Sequence, residues 1–155
     1  MQVDELTAVA DAVLFASRVL VAVAAESLAD LDEITLTQYR ALVVLASRGP
    51  QNPSSLAEIL EVNPSTATRV CDRLVARHLL DRQTATASRR EVRLEVTAAG
   101  QELVATVTLR RRAALARIVR RLTPEQRTQL IDALTAFGEA AGEVPEQAWS
   151  LGWST

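Results

Sequence analysis

Arg69, Arg73 and Arg77 recur at every fourth position of the chain, a spacing that on a helix stacks three guanidinium groups along one side. A guanidinium is a planar fork of donors that grips a phosphate or the edge of a guanine at two points, which an ammonium cannot do. Between positions 62 and 93 these three are joined by Arg82, Arg89, Arg90 and Arg93 against only Asp72, Asp81 and Glu91, a local net charge of +4. The 155-residue chain as a whole carries −2, so everything outside this window sums to −6. All seventeen cations are arginine, which genomic base composition would produce equally well. The separation of charge is therefore the sharper signal, and it marks a cationic surface suited to a polyanion.

Other chemistries find little support. Cys71 is the single cysteine and His78 the single histidine, so an intrachain disulfide, a cysteine zinc site and a histidine cluster are not expected. Gly-rich phosphate loops are lacking as well, and the sequence reads as a non-enzyme without catalytic residues, metal or cofactor. Residues 1–5 hold two acids and no cation, and the apolar run from Val19 to Ala25 is closed by Arg18 and Glu26. That pattern is read as neither signal peptide nor membrane span. A reducing, cytoplasmic setting is expected.

The elements that must hold the arginines follow from periodicity. Hydrophobic residues are 48% of the chain but aromatics 3%, so a core must be built from Ala, Val and Leu, which favours helix-on-helix packing in one domain. Apolar positions at three-and-four spacing predict a long amphipathic helix from Asp4 to Leu28. Thr35 with Gln38 has the capping-box spacing for a second helix that ends at Gly49-Pro50. A brief third helix is expected over Ser54 to Leu60, capped by Ser54 or Ser55. Asn63 as cap and Pro64 at the first helical position open a fourth, running to about Arg77. Alternation at Val92, Leu94 and Val96 predicts a strand that pairs with one near Leu80 around a polar loop, Thr84 to Arg90. Thr97 and then Thr123 cap a fifth and a sixth helix, and the tail from Gly142 lacks a period.

Two short helices, a tight turn and a cationic hairpin are the parts of a winged helix-turn-helix. Within the fourth helix, Ala67, Val70, Cys71 and Leu74 share one face, while Ser65, Thr68, Arg69, Asp72, Arg73 and Ala76 occupy the other. Small hydroxylated residues near a helix N-terminus let the backbone approach phosphates. Arg69 is placed to read a base edge, whereas Arg73 and Arg77 are placed to grip phosphate. For this segment alone the alternative is a solvated amphipathic helix with surface arginines; the adjoining helix and hairpin favour the groove-binding reading.

The segments TLTQYRALVVL, SSLAEILEVNPSTATRVCDRLVARHLLDR and RREVRLEVTAAG resemble the second helix, helix-turn-helix and wing of MarR-family regulators, in the same order, with the likeness extending over about 6–141. That resemblance implies a mainly helical fold with a small β-hairpin wing. It implies that residues 35–97 form the DNA-binding lobe and 4–28 and 98–141 the dimerisation helices, with 142–155 expected as an irregular tail. It implies a homodimeric repressor that binds a pseudo-palindromic site in double-stranded DNA. The contact set is Ser54, Asn63, Ser65, Thr66, Thr68, Arg69, Arg73 and Arg77, with Arg89 and Arg90 from the wing. Two departures stand out. Ser88 occupies the position where the family usually has an Asp two residues before the wing arginine. His78 stands where Gly commonly follows the recognition helix, and is read as a cap in a left-handed or similar conformation rather than a catalyst.

The long first helix cannot bury its stripe on so small a lobe, so a second copy is the expected partner; a monomeric bundle is the alternative. Resemblance also implies a small aromatic or anionic effector between the dimer helices and the lobe. Phe15, Arg18 and Tyr39 are its candidate lining, with core packing the weightier expectation for Phe15 and Tyr39. Cys71, on the inward face, is expected to act as a small apolar residue rather than a redox sensor. Trp149 and Trp153 either dock on an apolar groove or remain free. A dimeric interaction module that has lost DNA binding is the competing function, hinted at by Ser88 and the acidic overall balance.

Overall fold

The computed structural model describes residues 2–31, 34–84, 92–145 and 148–149. Six helices and one hairpin follow in order: α1 Gln2–Leu28, α2 Leu36–Arg48, α3 Pro53–Leu60, α4 Pro64–Ala76, β1 Leu80–Thr84, β2 Val92–Val96, α5 Ala98–Val119 and α6 Pro124–Ala140. The expected mainly helical architecture with a hairpin wing is what the chain adopts.

Each helix of the lobe starts where a side chain replaces the missing intrahelical partner. Thr35 and Gln38 form a reciprocal capping box at α2, and Gly49, at φ 80°, ends that helix in a conformation only glycine adopts without cost. At α3 the expectation needs correction. The cap is Asn52, whose Oδ1 accepts the Ser55 N–H at 2.8 Å, with Pro53 opening the helix; Ser54 and Ser55 lie inside the first turn. Asn63 caps α4, as its sequence position predicts. Between α3 and α4 the turn is made by Glu61 in the left-handed region.

The core lies where α2, α3, α4, the hairpin and the first half of α5 meet. Leu42, Leu45, Leu56, Leu74, Leu94 and Val104 are among its fully enclosed side chains. Strands β1 and β2 pair antiparallel from Leu80 opposite Val96 to Thr84 opposite Val92, so Thr84 belongs to the strand rather than the loop. Gln51 adds a two-bond bridge to Leu94 on the other edge of β2, at 3.2 and 2.8 Å. The wing tip, residues 85–91 with Ser88, Arg89 and Arg90, lies outside the described residues, as does Trp153.

Helix α5 begins in tight contact with the α4–β1 corner. Thr97 caps it, donates its hydroxyl proton to the His78 carbonyl at 2.7 Å, and gives its backbone N–H to the Leu79 carbonyl at 3.1 Å. A Cβ on Gly100 would lie 2.3 Å from that same Leu79 oxygen and 2.7 Å from a Val96 methyl, so the helix can sit this close only because position 100 is glycine. The dimension that joins the long helices to the lobe is thus set by backbone atoms.

Beyond the lobe the chain is bare. From Asp4 to Leu28, only Val23, Ser27 and Leu28 of α1 are buried, and Leu6, Val9, Leu14, Phe15 and Val21 stand more than half exposed. Phe15, expected in the core, is 71% exposed, because none of the described residues of the chain covers that side of α1. No residue of α6 is buried, and its Ile131, Leu134 and Phe137 are open. By length and composition, Asp4–Leu28 also qualifies as a helix able to cross a membrane, an 18-residue window within it having mean hydropathy 2.0; Arg18 and Glu26, which bound the run Val19–Ala25, do not remove it from that class. Asp11 and Arg18 stand within its span, and charges at a bilayer centre are costly.

Candidate nucleic-acid interface

The inward and outward faces of α4 divide as the helical wheel predicts. Ala67, Val70, Cys71 and Leu74 are buried, while Ser65, Thr68, Arg69, Asp72, Arg73 and Ala76 are exposed. The division is physical in origin: four apolar side chains at three-and-four spacing fix the rotation of the helix about its axis, so Arg69 and Arg73 are turned away from the core. Arg77 is the C-cap residue and is also exposed. Ser54, in the first turn of α3, is exposed as well.

The N-terminal turn of α4 is a local hydrogen-bond network. Asn63 Oδ1 accepts the Thr66 N–H at 2.8 Å and the Ser65 hydroxyl at 2.7 Å. The Thr68 hydroxyl donates back to the Pro64 carbonyl at 2.9 Å, and Arg69 Nη2 donates to Thr66 Oγ1 at 3.3 Å. Three of the polar residues singled out from sequence therefore spend hydrogen-bonding capacity on the helix itself: Asn63 as the cap, Ser65 on that cap and Thr68 on a backbone carbonyl. Thr66, by accepting from Arg69, keeps its own proton for an outside acceptor and holds the guanidinium at the helix's leading end. A small cleft beside it is lined by Thr35, Gln38, Thr66, Arg69, Val70 and Arg73, which brings the start of α2 next to the cationic face.

At the other end of α4, His78 takes the left-handed conformation at φ 57° that the departure from glycine required. The turn is held by Leu79 N–H to the Leu74 carbonyl at 2.9 Å and His78 N–H to the Val75 carbonyl at 2.9 Å, and by the Thr97 hydroxyl on the His78 carbonyl. Cys71 is fully buried, and burial pushes its thiol up from an ordinary value of 9.0, so it stays protonated and behaves as a small apolar side chain.

One contact at this face was not legible from spacing. Arg82 of β1 donates to Asp72 Oδ1 of α4 at 2.7 Å, across ten residues and a reversal of chain direction.

Tyr39 is 3% exposed and covered by Arg111, whose guanidinium carbon lies 4.7 Å from the ring centroid while its Nε donates to Ser27 Oγ at 3.2 Å. Beside it runs a cleft of about 310 Å³ lined by Tyr39, Arg40, Val43, Arg48, Arg111 and Glu143 among others. Arg18 and Phe15 lie on the exposed length of α1, so the structure brings neither of them to this cleft, and the arginines there are ones that sequence reasoning did not select. Among the described residues no group of His, Cys, Asp and Glu could hold a metal ion.

A lobe of this element order, with a recognition-type helix followed by an antiparallel hairpin and a long helix, is a winged helix-turn-helix. The MarR family model matches residues 34–92. The chain is 32% identical over 108 residues to the HTH-type transcriptional repressor MdtR of Bacillus subtilis, covering 70% of each protein. Among solved structures, that of RV1404 from Mycobacterium tuberculosis superposes with a TM-score of 0.83 at 45% identity, over 90% of this chain and 96% of that one. The fold is shared as well with a MepR mutant of S. aureus solved bound to an oligodeoxyribonucleotide, at TM-score 0.64 and 21% identity over 85% of this chain and 96% of that one. The chain belongs to the MarR family.

Proposed function

We propose that the protein is a transcriptional repressor that binds a pseudo-palindromic site in duplex DNA as a homodimer, with α4 in the major groove. The observation that carries this reading is the orientation of α4: its apolar face is wholly taken up by the core, and Arg69 and Arg73 project from the opposite side. Arg69, propped by Thr66, reads a base edge. Ser54, Ser65, Thr66, Thr68, Arg73 and Arg77 lie against phosphate, and Arg89 and Arg90 extend the contact through the wing. Support comes from MdtR, described as a transcriptional repressor, and from MepR, solved on an oligodeoxyribonucleotide.

A second copy is the partner that the uncovered apolar lengths of α1 and α6 require. Residues 35–97 serve as the reading lobe, with 4–28 and 98–141 forming the dimer. Two recognition helices related by a two-fold then address successive major grooves about 34–36 Å apart. The cleft beside Tyr39, lined by Arg40, Arg48 and Arg111 among others, is the site for a small aromatic or anionic effector, at the junction of the long helices and the lobe. The protein acts in the cytoplasm as a regulator without catalytic chemistry.

The test is equilibrium binding to duplex DNA across a series of salt concentrations. Because arginine contacts release counterions, affinity falls steeply as salt rises. Arg90→Ala weakens every sequence, and Arg69→Ala in addition relaxes sequence preference. Salt-independent binding, or retention of both properties in these variants, overturns the assignment and favours a module that binds proteins alone.

A further inference from the structure

A carboxylate is out of place on a face that meets phosphates, yet Asp72 projects from α4 between Arg69 and Arg73. Its Oδ1 accepts from Arg82 Nη2 at 2.7 Å, the single ion pair among the described residues. Arg82 lies in β1, opposite Leu94, two residues after the buried Leu80. Since strand side chains alternate, Arg82 leaves β1 on the same side as Leu80, toward the lobe. The two partners are brought together only because the chain reverses at His78.

The hairpin has just two strands, and a lone hairpin is marginal in water and twists readily. Beyond the Thr97 bonds at its base, two further polar links hold its strands to the lobe. The Gln51–Leu94 backbone bridge fastens β2, and the Asp72–Arg82 pair fastens β1 to the recognition helix. Both strands also pack into the core through Leu80, Leu94 and Val96, and the Asp72–Arg82 pair adds a side-chain tie between β1 and the exposed face of α4.

We infer that Asp72 and Arg82 are positioning residues for DNA reading. The pair cancels the one negative charge on the cationic face of α4 and locks the wing at a fixed angle to that helix, so that backbone contacts from the wing and base contacts from α4 fall in register. Arg82 is thereby committed to Asp72 rather than to phosphate. This inference rests on the DNA-binding reading above.

The experiment compares unmodified protein with Asp72→Asn, Arg82→Gln, Arg82→Lys and the double variant Asp72→Asn/Arg82→Gln. Affinity for a duplex selected from a random pool and for random duplex is measured over a range of salt. An exposed pair is worth a small factor per half-site, so losing it from two half-sites lowers the selected-over-random ratio roughly two- to thirtyfold. Both single neutral variants lose that ratio, but they move random-duplex binding in opposite directions. Asp72→Asn frees Arg82 for phosphate, tightening random binding and steepening the slope of log K against log salt by about one per protomer. Arg82→Gln bares the carboxylate and weakens random binding. The double variant restores random binding without restoring the ratio, and Arg82→Lys, which keeps a charge on Asp72, recovers part of it. A charge effect alone would give these opposite signs but spare the selected-over-random ratio, so loss of the ratio in the double variant, whose net charge is unaltered, is the readout for positioning. An unchanged ratio in both single variants, or shifts of random binding in the same direction, overturns the positioning role. If the unmodified protein shows no preference for any selected duplex, the DNA-binding reading falls and this inference with it.

Discussion

Replacing Gly100 by alanine tests the joint between the long helices and the reading lobe. The added Cβ would stand 2.3 Å from the Leu79 carbonyl oxygen and 2.7 Å from a Val96 methyl, whereas ordinary contact begins near 3.4 Å. The Val96 side chain can give way, but the Leu79 oxygen is backbone and is held by the Thr97 N–H. Helix α5 must therefore withdraw from the corner by about 1 Å, and such overpacking costs about 1–3 kcal/mol. For a chain of this size that lowers the thermal unfolding midpoint by roughly 2–12 °C. Leu79 follows the end of α4 by three residues, so the displacement passes directly to the recognition helix. Preference for a selected duplex then falls more than affinity for random duplex, read by fluorescence titration at a temperature where the variant is folded. Gly138, in α6, is the matched control: nothing lies within 4 Å of an added Cβ, and alanine there raises stability by about 0.5–1 kcal/mol through lost unfolded-state freedom. An unchanged midpoint and unchanged duplex preference in Gly100→Ala would refute the claim that backbone contact sets this joint.

Asn63→Ala removes the acceptor for the Thr66 N–H and the Ser65 hydroxyl and costs about 1 kcal/mol in chemical denaturation; Asn52→Ala costs a similar amount, while Ser55→Ala is close to neutral because its side chain is not the cap. Cys71 reacts with iodoacetamide far more slowly in native than in unfolded protein. Its native thiol ionises above the ordinary 9.0, so its contribution to stability is complete below that pH. As pH climbs past it, the unfolded thiol gives up its proton first, the contribution is lost, and the midpoint declines more than in Cys71→Ala. The tail is tied down by Arg48 Nη2 on the Gly142 carbonyl at 2.9 Å and by Trp149, which packs on the core and donates to the Val144 carbonyl at 3.0 Å. In a Trp153→Phe background, Trp149 emission is therefore blue-shifted in the native state, and Trp149→Ala lowers stability by about 1–3 kcal/mol; a water-like emission would contradict the docking.

What was legible in the sequence was local. Capping residues at Thr35, Asn63, Thr97 and Thr123 act within three residues of themselves, and the apolar spacing of Ala67, Val70, Cys71 and Leu74 settles which side of α4 is wet. Local competition accounts for the misplaced start of α3: Ser54 and Ser55 were read as caps, but Pro53, which fits the first helical position, hands the role to Asn52 before it. Contacts that depend on chain reversal were hidden, as with Asp72 and Arg82, whose spacing of ten belongs to no helix or strand period. Phe15 failed as a core residue for another reason. Its apolar character was read as a sign of burial, while the side of α1 that bears it is not covered by any of the described residues. Arg111 over Tyr39 likewise joins α5 to α2 across seventy residues of sequence and gives no periodic sign.

The most direct trial of the groove-binding claim is selection from a random duplex pool, carried out in parallel with the unmodified protein and with Arg69→Ala. The unmodified protein should enrich an inverted repeat whose half-site centres lie about one helical turn apart or a multiple of it, and Arg69→Ala should enrich the same repeat with one base pair per half-site no longer specified. Enrichment of no repeat, or an identical sequence preference from both proteins, would contradict it.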